Sequence, residues 1–446
     1  MYPSNSRVVC GTLGVMMTVL AACADEPTPT APIPGPAPQF AVGDELLVTN
    51  TSGGTGVGSL RWAVSQATGG EVIRFAPALA GQTITLDSSV KVLQPLTIEG
   101  PTDAGITISG AGKVRVFDVF AETVLRNLTI AHGSAVSSEA SGGAGILVWV
   151  GGGIFTPLRV ENSTITGNVA SVAPAISGPM TTLINTTVSG NTALSTTDVE
   201  FGAVTSGTLT LVNSTIAHNT GAGVASSNLV LRNSIISNHS GKPNCRTFNG
   251  WVKTYQGGNI SDDETCGNPF QLMVANPQLA PLADNGGPTR THALLISSPA
   301  INGGASCSVS VDQRYVSRDA QCDVGAFEFT DFTSVALTMA SSAAIDPGGN
   351  AVLAGTVRCS RNESFDLHVT LQQLQKRGKE TVDVHAAATT PIACTTSSQS
   401  WSVALVTTDE PFQIGSAVAT AGTLNQPKWV TPASVSQSVK LFKSKK

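Results

Sequence analysis

Five short segments of the chain are near copies of one another: Leu125-Arg126-Asn127-Leu128-Thr129-Ile130, Val160-Glu161-Asn162-Ser163-Thr164-Ile165, Leu183-Ile184-Asn185-Thr186-Thr187-Val188, Leu211-Val212-Asn213-Ser214-Thr215-Ile216 and Leu231-Arg232-Asn233-Ser234-Ile235-Ile236. Their asparagines lie 35, 23, 28 and 20 residues apart. A constant motif at variable spacing marks a fixed turn joined by loops of variable length, which is the signature of a solenoid or a propeller. A propeller blade needs four strands and about 40 residues, more than most of these repeats supply. Each unit is too short to bury its own apolar face. Stacked in parallel, the units share one core and satisfy each other's backbone groups. The predicted fold is therefore all-β: a right-handed parallel β-helix over 44–330, since parallel crossovers are overwhelmingly right-handed. Asparagine suits the bend because it tolerates the left-handed conformation. Asn127, Asn162, Asn185, Asn213 and Asn233 are expected to stack as a structural ladder, with their side chains hydrogen-bonding along the axis. Four of them also sit in glycosylation sequons (Asn127, Asn162, Asn185 and Asn213). Their place inside the repeat assigns them to structure instead.

Composition agrees with this class. Only 12% of the 446 residues are charged, 45 are glycine and 41% are hydrophobic, which argues against both a helical and a disordered chain. A net charge of −5 offers no basic field for a phosphate backbone, so nucleic acid is not an expected partner.

A solenoid needs its ends covered. At the front, Leu60, Ala63, Val64 and Ala67 fall at helical spacing behind Ser59, a good N-cap, and Gly69-Gly70 stops the helix. At the far end, Asn276 to Gly304 runs into Asp312-Gln313-Arg314 and then Cys322-Asp323-Val324-Gly325-Ala326-Phe327-Glu328. This stretch resembles the bacterial choice-of-anchor Q domain that closes β-helices of the pectate-lyase-like superfamily. The segments Gly58-Ser59-Leu60-Arg61-Trp62-Ala63-Val64 and Leu96-Thr97-Ile98-Glu99-Gly100-Pro101 resemble the same family's early rungs. The resemblance covers roughly residues 44–329 and implies architecture rather than a reaction. One departure is Tyr315, where the family commonly has glycine after the Asp-Gln-Arg triplet.

The first 22 residues read as a signal peptide. Arg7 precedes a largely apolar stretch, Val8–Ala22, too short to span a bilayer comfortably. It ends in Leu20-Ala21-Ala22-Cys23, which resembles the bacterial lipobox, so Cys23 is the expected lipidation site. An ordinary secretory signal with an incidental cysteine is the alternative. Residues 23–43 carry a Pro-rich tether (27–38), an extended and semi-rigid spacer. The expected location is the cell envelope, lipid-anchored, in the outer membrane or at the cell surface.

Past Thr330 the repeat stops. Phe365 to Leu371 and Trp401 to Leu405 alternate apolar and polar residues, so 331–446 is read as a small β-sandwich, Ig-like. In an exported chain the six cysteines after Cys23 imply disulfides, and their count alone admits many connectivities. The layout favours neighbours: Cys245 with Cys266, Cys307 with Cys322, and Cys359 with Cys394.

The sequence offers little chemistry. A lyase of the pectate-lyase-like type needs a Lys or Arg base beside carboxylates, recurring at one phase of the repeat, and a hydrolase needs paired acids. Arg126, Arg159 and Arg232 each follow the first apolar residue of their unit, and Glu161 follows Val160 in the same slot. They read as solvent-facing strand residues. Asp262-Asp263-Glu264 is the densest acidic run and reads as a solvated loop, and no histidine or cysteine spacing suits a metal. No catalytic residue and no cofactor is therefore assigned. The expected function is a lipoprotein whose β-helix surface binds glycans or proteins, or serves structurally. The alternative is a carbohydrate-active enzyme with a site built from variable loops such as Ala131–Val150.

Overall fold

The computed structural model describes residues 45–444 except 137–141, 151–154, 196–200, 238–241, 268–271, 408–409 and 427–429; at 247 and 249–251 it describes the backbone alone. The signal stretch, Cys23 and the Pro-rich tether lie outside the described residues. Among the described residues no helix is long and apolar enough to cross a membrane.

The chain is all-β, a parallel β-helix followed by a second β domain. Among the described residues the solenoid has three parallel faces: a twelve-stranded sheet, a nine-stranded sheet and a short three-stranded one. Every repeated asparagine stands where the chain passes from the first face to the second, as Asn127 does between Thr123–Arg126 and Leu128–Ala131. All five adopt φ between 44° and 56°. That left-handed geometry turns the chain within one residue, and a β-branched side chain there would be strained. In-register pairing places Leu125, Val160, Leu183, Leu211 and Leu231 in one inward column. On the second face Ile130, Ile165, Val188, Ile216 and Ile236 form another. All ten are essentially inaccessible, each contributing roughly 1.5–3 kcal/mol of apolar burial.

The asparagine amides do not bond to one another, which corrects the expected axial hydrogen bonding of Asn127, Asn162, Asn185, Asn213 and Asn233. They face a strap, residues 276–329, that leaves the last rung and returns across the turns. Tyr315 donates its hydroxyl to Asn127 Oδ1 at 2.7 Å, Asn185 Nδ2 donates to Val311 O at 2.9 Å, and Asn233 Nδ2 donates to Ala305 O at 3.1 Å. An axial amide ladder does exist, one turn further along. Asn168 Nδ2 donates to Asn191 Oδ1 and Asn191 Nδ2 to Asn219 Oδ1, both at 2.9 Å. The same oxygens accept the backbone N–H of the preceding rung's asparagine. The difference is one of surroundings: the first turn is roofed by the strap, whereas the second points into the dry interior, where a neighbouring amide is the partner within reach. The sequon asparagines Asn127, Asn185 and Asn213 are fully buried and present no amide to a glycan.

The helix Leu60–Gln66 covers the first rung. Ser59 Oγ accepts the Trp62 N–H, and Leu60 and Ala63 join the core of Val48 and Ile73. The strap is fixed by motif residues. Gln313, fully buried, accepts from Thr187 Oγ1 at 2.7 Å and donates to Thr164 Oγ1 at 3.0 Å, bridging two rungs. At Gly325, φ is 97° and an added Cβ would lie 2.7 Å from Thr215 Oγ1, so only glycine lets the strap approach this closely. The disulfides join Cys245 to Cys266, Cys307 to Cys322 and Cys359 to Cys394.

From Val335 the strands pair antiparallel, except that Ser342–Ile345 runs parallel to Ser434–Lys443. Phe365, Leu367, Val369 and Leu371 point inward with Leu353, Trp401 and Leu441 around a separate core. Among the described residues these strands form one eight-stranded sheet, and Cys359–Cys394 links two of them that are not hydrogen-bonded neighbours, Ala351–Cys359 and Glu380–Cys394.

Candidate functional site

The outer face of the first rungs gathers the side chains best placed to meet a ligand. In-register pairing of Val92, Val119 and Val148 puts the next residue of each strand, Leu93, Phe120 and Trp149, into one outward column. They are 63%, 42% and 40% exposed. The rings of Phe120 and Trp149 are stacked, with centroids 5.6 Å apart and planes within 3°. Asp118 fixes this ridge. Its Oδ1 accepts the Trp149 indole N–H at 3.1 Å and pairs with Arg115 at 2.8 Å, while Oδ2 accepts from Ser89 Oγ at 2.6 Å. Arg115 also reaches Gly142 O and Gly143 O, each at 3.0 Å, on the next rung. The indole is thus held in place before any ligand arrives.

Beside the ridge lies a surface pocket of about 320 Å³ between the capping helix and the first rungs, lined by Arg61, Ser65, Ser89, Lys91, Leu93 and Gln94. Arg61 is paired with Asp87 at 2.7 Å. Lys91 is exposed and stands in register beside Asp118.

Further along the same rung, on the strand Thr123–Arg126 of the same sheet, the surface becomes charged. Arg74, Glu99, Arg126 and Glu161 occupy one column on successive rungs. Arg74 pairs with Glu99 at 2.7 Å, and Glu161 is held by both Arg126 and Arg159. The register corrects the shared slot expected for the arginines. Arg126, Glu161 and Arg232 share a column, whereas Arg159 pairs with Val124 and Thr182, two residues out of phase. The unit Val160-Glu161-Asn162 aligns on its asparagine, not on Leu158. At the far edge Tyr315, with φ of 68°, stands 41% exposed over Asn127. Burial of its hydroxyl pushes the pKa up, and Glu99 and Glu161 nearby add to the rise. A left-handed tyrosine is a strained choice, offset here by its hydroxyl bond to Asn127.

Both carboxylates of this column are thus engaged by guanidinium groups, so neither is a free general acid, base or nucleophile as a glycoside hydrolase requires. The arrangement suits binding: a preset aromatic ridge, a pocket with a lysine, and a band of fixed donors and acceptors. The ridge was not legible because its aromatic members lie 29 residues apart and outside the repeated segments. Only the order Val-Phe at 119–120 and Val-Trp at 148–149 hints at it.

Other sites behave differently. His292 is buried, with Nε2 2.8 Å from Ser189 Oγ and Nδ1 2.7 Å from Ala280 O. Burial, reinforced by the His218 ring, lowers its pKa to about 4 despite the Ala280 carbonyl. It therefore stays neutral, and Ser189 beneath it is out of reach of a substrate. Asp262 and Glu264 are exposed and Asp263 half-buried, with Asp262 and Asp263 accepting hydrogen bonds from Asn244, Ser261 and Thr265. Among the described residues no three metal-ligating side chains converge. The loop Ala131–Val150 lies partly outside the described residues, and Trp149 near its end belongs to the ridge.

No protein-family model matches the chain, and neither does any curated protein. Among solved structures it is similar to a β-glucosidase from Listeria innocua in complex with glucose, at 13% identity over 29% of this chain and 19% of that one, with a TM-score of 0.17. It is also similar to Spo0M, a sporulation control protein from Bacillus subtilis, at 11% identity over 26% of this chain and 51% of that one, with a TM-score of 0.16. The chain thus spans about a fifth of the first and half of the second, and at these TM-scores neither likeness bears on its function.

Proposed function

We propose that the chain is an exported envelope lipoprotein that binds glycans, without turnover, on the outer face of its first rungs. One observation carries this reading: the exposed, preset stack of Phe120 and Trp149 beside the pocket of Lys91. Aromatic faces and edges take up the apolar C–H surfaces of sugar rings, while fixed polar groups select hydroxyls. A solenoid adds such surface rung by rung. In this reading the chain is a pectate-lyase-like β-helix, and the strap carrying Asp312-Gln313-Arg314 is its choice-of-anchor Q end. The three disulfides agree with export.

The test is affinity for a panel of neutral and acidic polysaccharides. Trp149→Ala is expected to weaken the retained glycan by about 30-fold, the loss of an aromatic anchor of roughly 2 kcal/mol. Unchanged affinity in Trp149→Ala and Phe120→Ala sinks the site, and shortening of any polymer in the panel sinks the non-catalytic reading. Anchoring is tested separately. Cys23→Ser is expected to abolish lipidation and leave the larger, uncleaved precursor, and an unchanged processed size argues for an ordinary secretory signal.

A further inference from the structure

In the second domain the strand Glu380–Cys394 is the outermost of its sheet. Among the described residues it pairs with Glu363–Arg377 and with no other strand, in a ladder of fifteen residues without a bulge. The other strands held on one side only, Val335–Met339 and Gln399–Leu405, are five and seven residues long. One end of the long edge is closed: the Cys359–Cys394 bond, and the Cys359 N–H donated to Thr395 O at 2.9 Å, tie it to Ala351–Cys359. The open part is the half next to the turn at Gly378. Sheet edges are normally blunted by lysine, proline, a bulge or brevity. Between residues 380 and 390 none of these is present, and the charges there are Glu380, Asp383 and His385 alone.

Pro391 shows which residues face the gap. It has no N–H, yet it stands within the ladder opposite Asp366. A sheet accepts proline where its nitrogen points away from the neighbouring strand, and hydrogen-bonding direction alternates along a strand. The odd-numbered residues Thr381, Asp383, His385 and Ala387 therefore turn their backbone N–H and C=O toward the open edge, and their side chains are exposed. On the other face Val384 and Ala386 are buried, whereas Val382 and Ala388 pack against the domain core but stay half-buried. The edge is short of cover in its backbone and in its apolar row alike.

We propose that this edge pairs with the same edge of a second copy of the chain, residues 380–388 running antiparallel about a twofold axis at Val384. Charge sets the register. Pairing about Val384 places Asp383 opposite His385 of the second copy, and the symmetry of the axis repeats that contact, as an isologous interface requires. Opposed residues of such a pair lie about 5.5 Å apart between Cα atoms, within reach of an imidazole N–H and a carboxylate. Gln372 Nε2 already orients Asp383 by donating to its Oδ2 at 2.8 Å. Moving the axis one residue either way sets like against like, Asp383 on Asp383 or His385 on His385. About Val384, Val382 is covered by Ala386 of the second copy, and the ladder ends at Ala388, before Pro391 leaves a bond unmade. The glycan-binding ridge is on the solenoid and takes no part.

The test is the mass of the full chain in mild detergent, followed by sedimentation velocity. The wild type is expected to pass from one copy to two between about 1 and 100 μM. His385→Asp opposes carboxylates at both symmetric contacts and is expected to weaken association about tenfold or more. Adding Asp383→His to it exchanges the two charges, and the wild-type affinity returns. Ala387→Pro removes an outward-facing donor from each copy, leaves the ladder to Glu363–Arg377 intact and is expected to give a single copy throughout. These positions are exposed, and thermal midpoints unchanged at low concentration show that the variants are folded. A wild type that stays single at about 100 μM overturns the proposal. So does a dimer whose affinity is unmoved by both His385→Asp and Ala387→Pro.

Discussion

Replacing Arg318 by methionine is expected to lower the thermal midpoint by on the order of 10 °C, the largest effect of any single substitution outside the apolar columns. Its side chain is 1% exposed and pairs with Glu328, itself 3% exposed, at 2.9 Å. It also donates to Gly325 O at 2.9 Å and to Asn185 Oδ1 at 3.3 Å, so one guanidinium ties the strap to the turn between the first and second faces. Burial pushes its pKa down, and Glu328, Asp312 and Asp323 around it oppose that. Removing the arginine leaves a buried carboxylate uncompensated, which costs about 3–5 kcal/mol. The pair of Arg377 and Glu410, shorter at 2.7 Å, is exposed on both sides, and breaking it should cost no more than about 1 kcal/mol. Scanning fluorimetry of the two variants checks the contrast, and limited proteolysis of Arg318→Met should cut first between residues 300 and 328. Equal midpoints for the two variants contradict the strap as a load on stability.

The second large effect is with pH. Asp323 is fully buried, and burial, with Glu328 close by, raises its pKa from the usual 3.8 to about 7. An acid with a raised folded-state pKa contributes stability that is complete below about pH 4 and lost as the pH rises through 7. The amount is on the order of 4 kcal/mol over those three units. His292, lowered from 6.5 to about 4, does the reverse. Its contribution is complete above pH 6.5 and lost as the pH falls through 4, about 3 kcal/mol in all. Between pH 4 and 6.5 the two slopes oppose, and the raised pKa of Glu328 adds to the fall that Asp323 produces. Relative to the wild type, Asp323→Asn should tilt the midpoint upward with pH across this window, and His292→Gln downward. Thermal melts at half-unit pH steps decide it: parallel profiles for the two variants would show that neither group carries the linkage.

The architecture was legible because it rests on local rules. Few residues besides glycine accept φ near 50°, so a recurring asparagine after an aliphatic pair announces the same corner each time. Ser59 ahead of Leu60 announces the capping helix in the same way. What could not be read depends on which rung lies on which. The ladder of Asn168, Asn191 and Asn219 sits behind glycine or histidine, six residues past the repeat asparagine each time, but its amides are ladder partners only once the rungs are in register. The ridge of Phe120 and Trp149, and the column from Arg74 to Glu161, are likewise products of stacking. In sequence Asp312, Asp323 and Glu328 were only members of the stretch that closes the solenoid. Their burial follows from the strap folding back on the turns, and no local pattern encodes that.

The strap also changes how the solenoid answers to force. A pull on the amino-terminal end strains the hydrogen bonds between rungs one strand at a time, as a zipper opens, and each rung resists with only a few bonds. From Asn127 to Asn233 the strap lies across this seam like a splint, so those rungs cannot separate singly: its bonds must be sheared together. The Phe120 and Trp149 rings lie on the rungs at the leading border of the splinted block. Tension on a polymer gripped there passes into the part of the molecule least able to unravel, and the first turns, outside the splint, give way before it does.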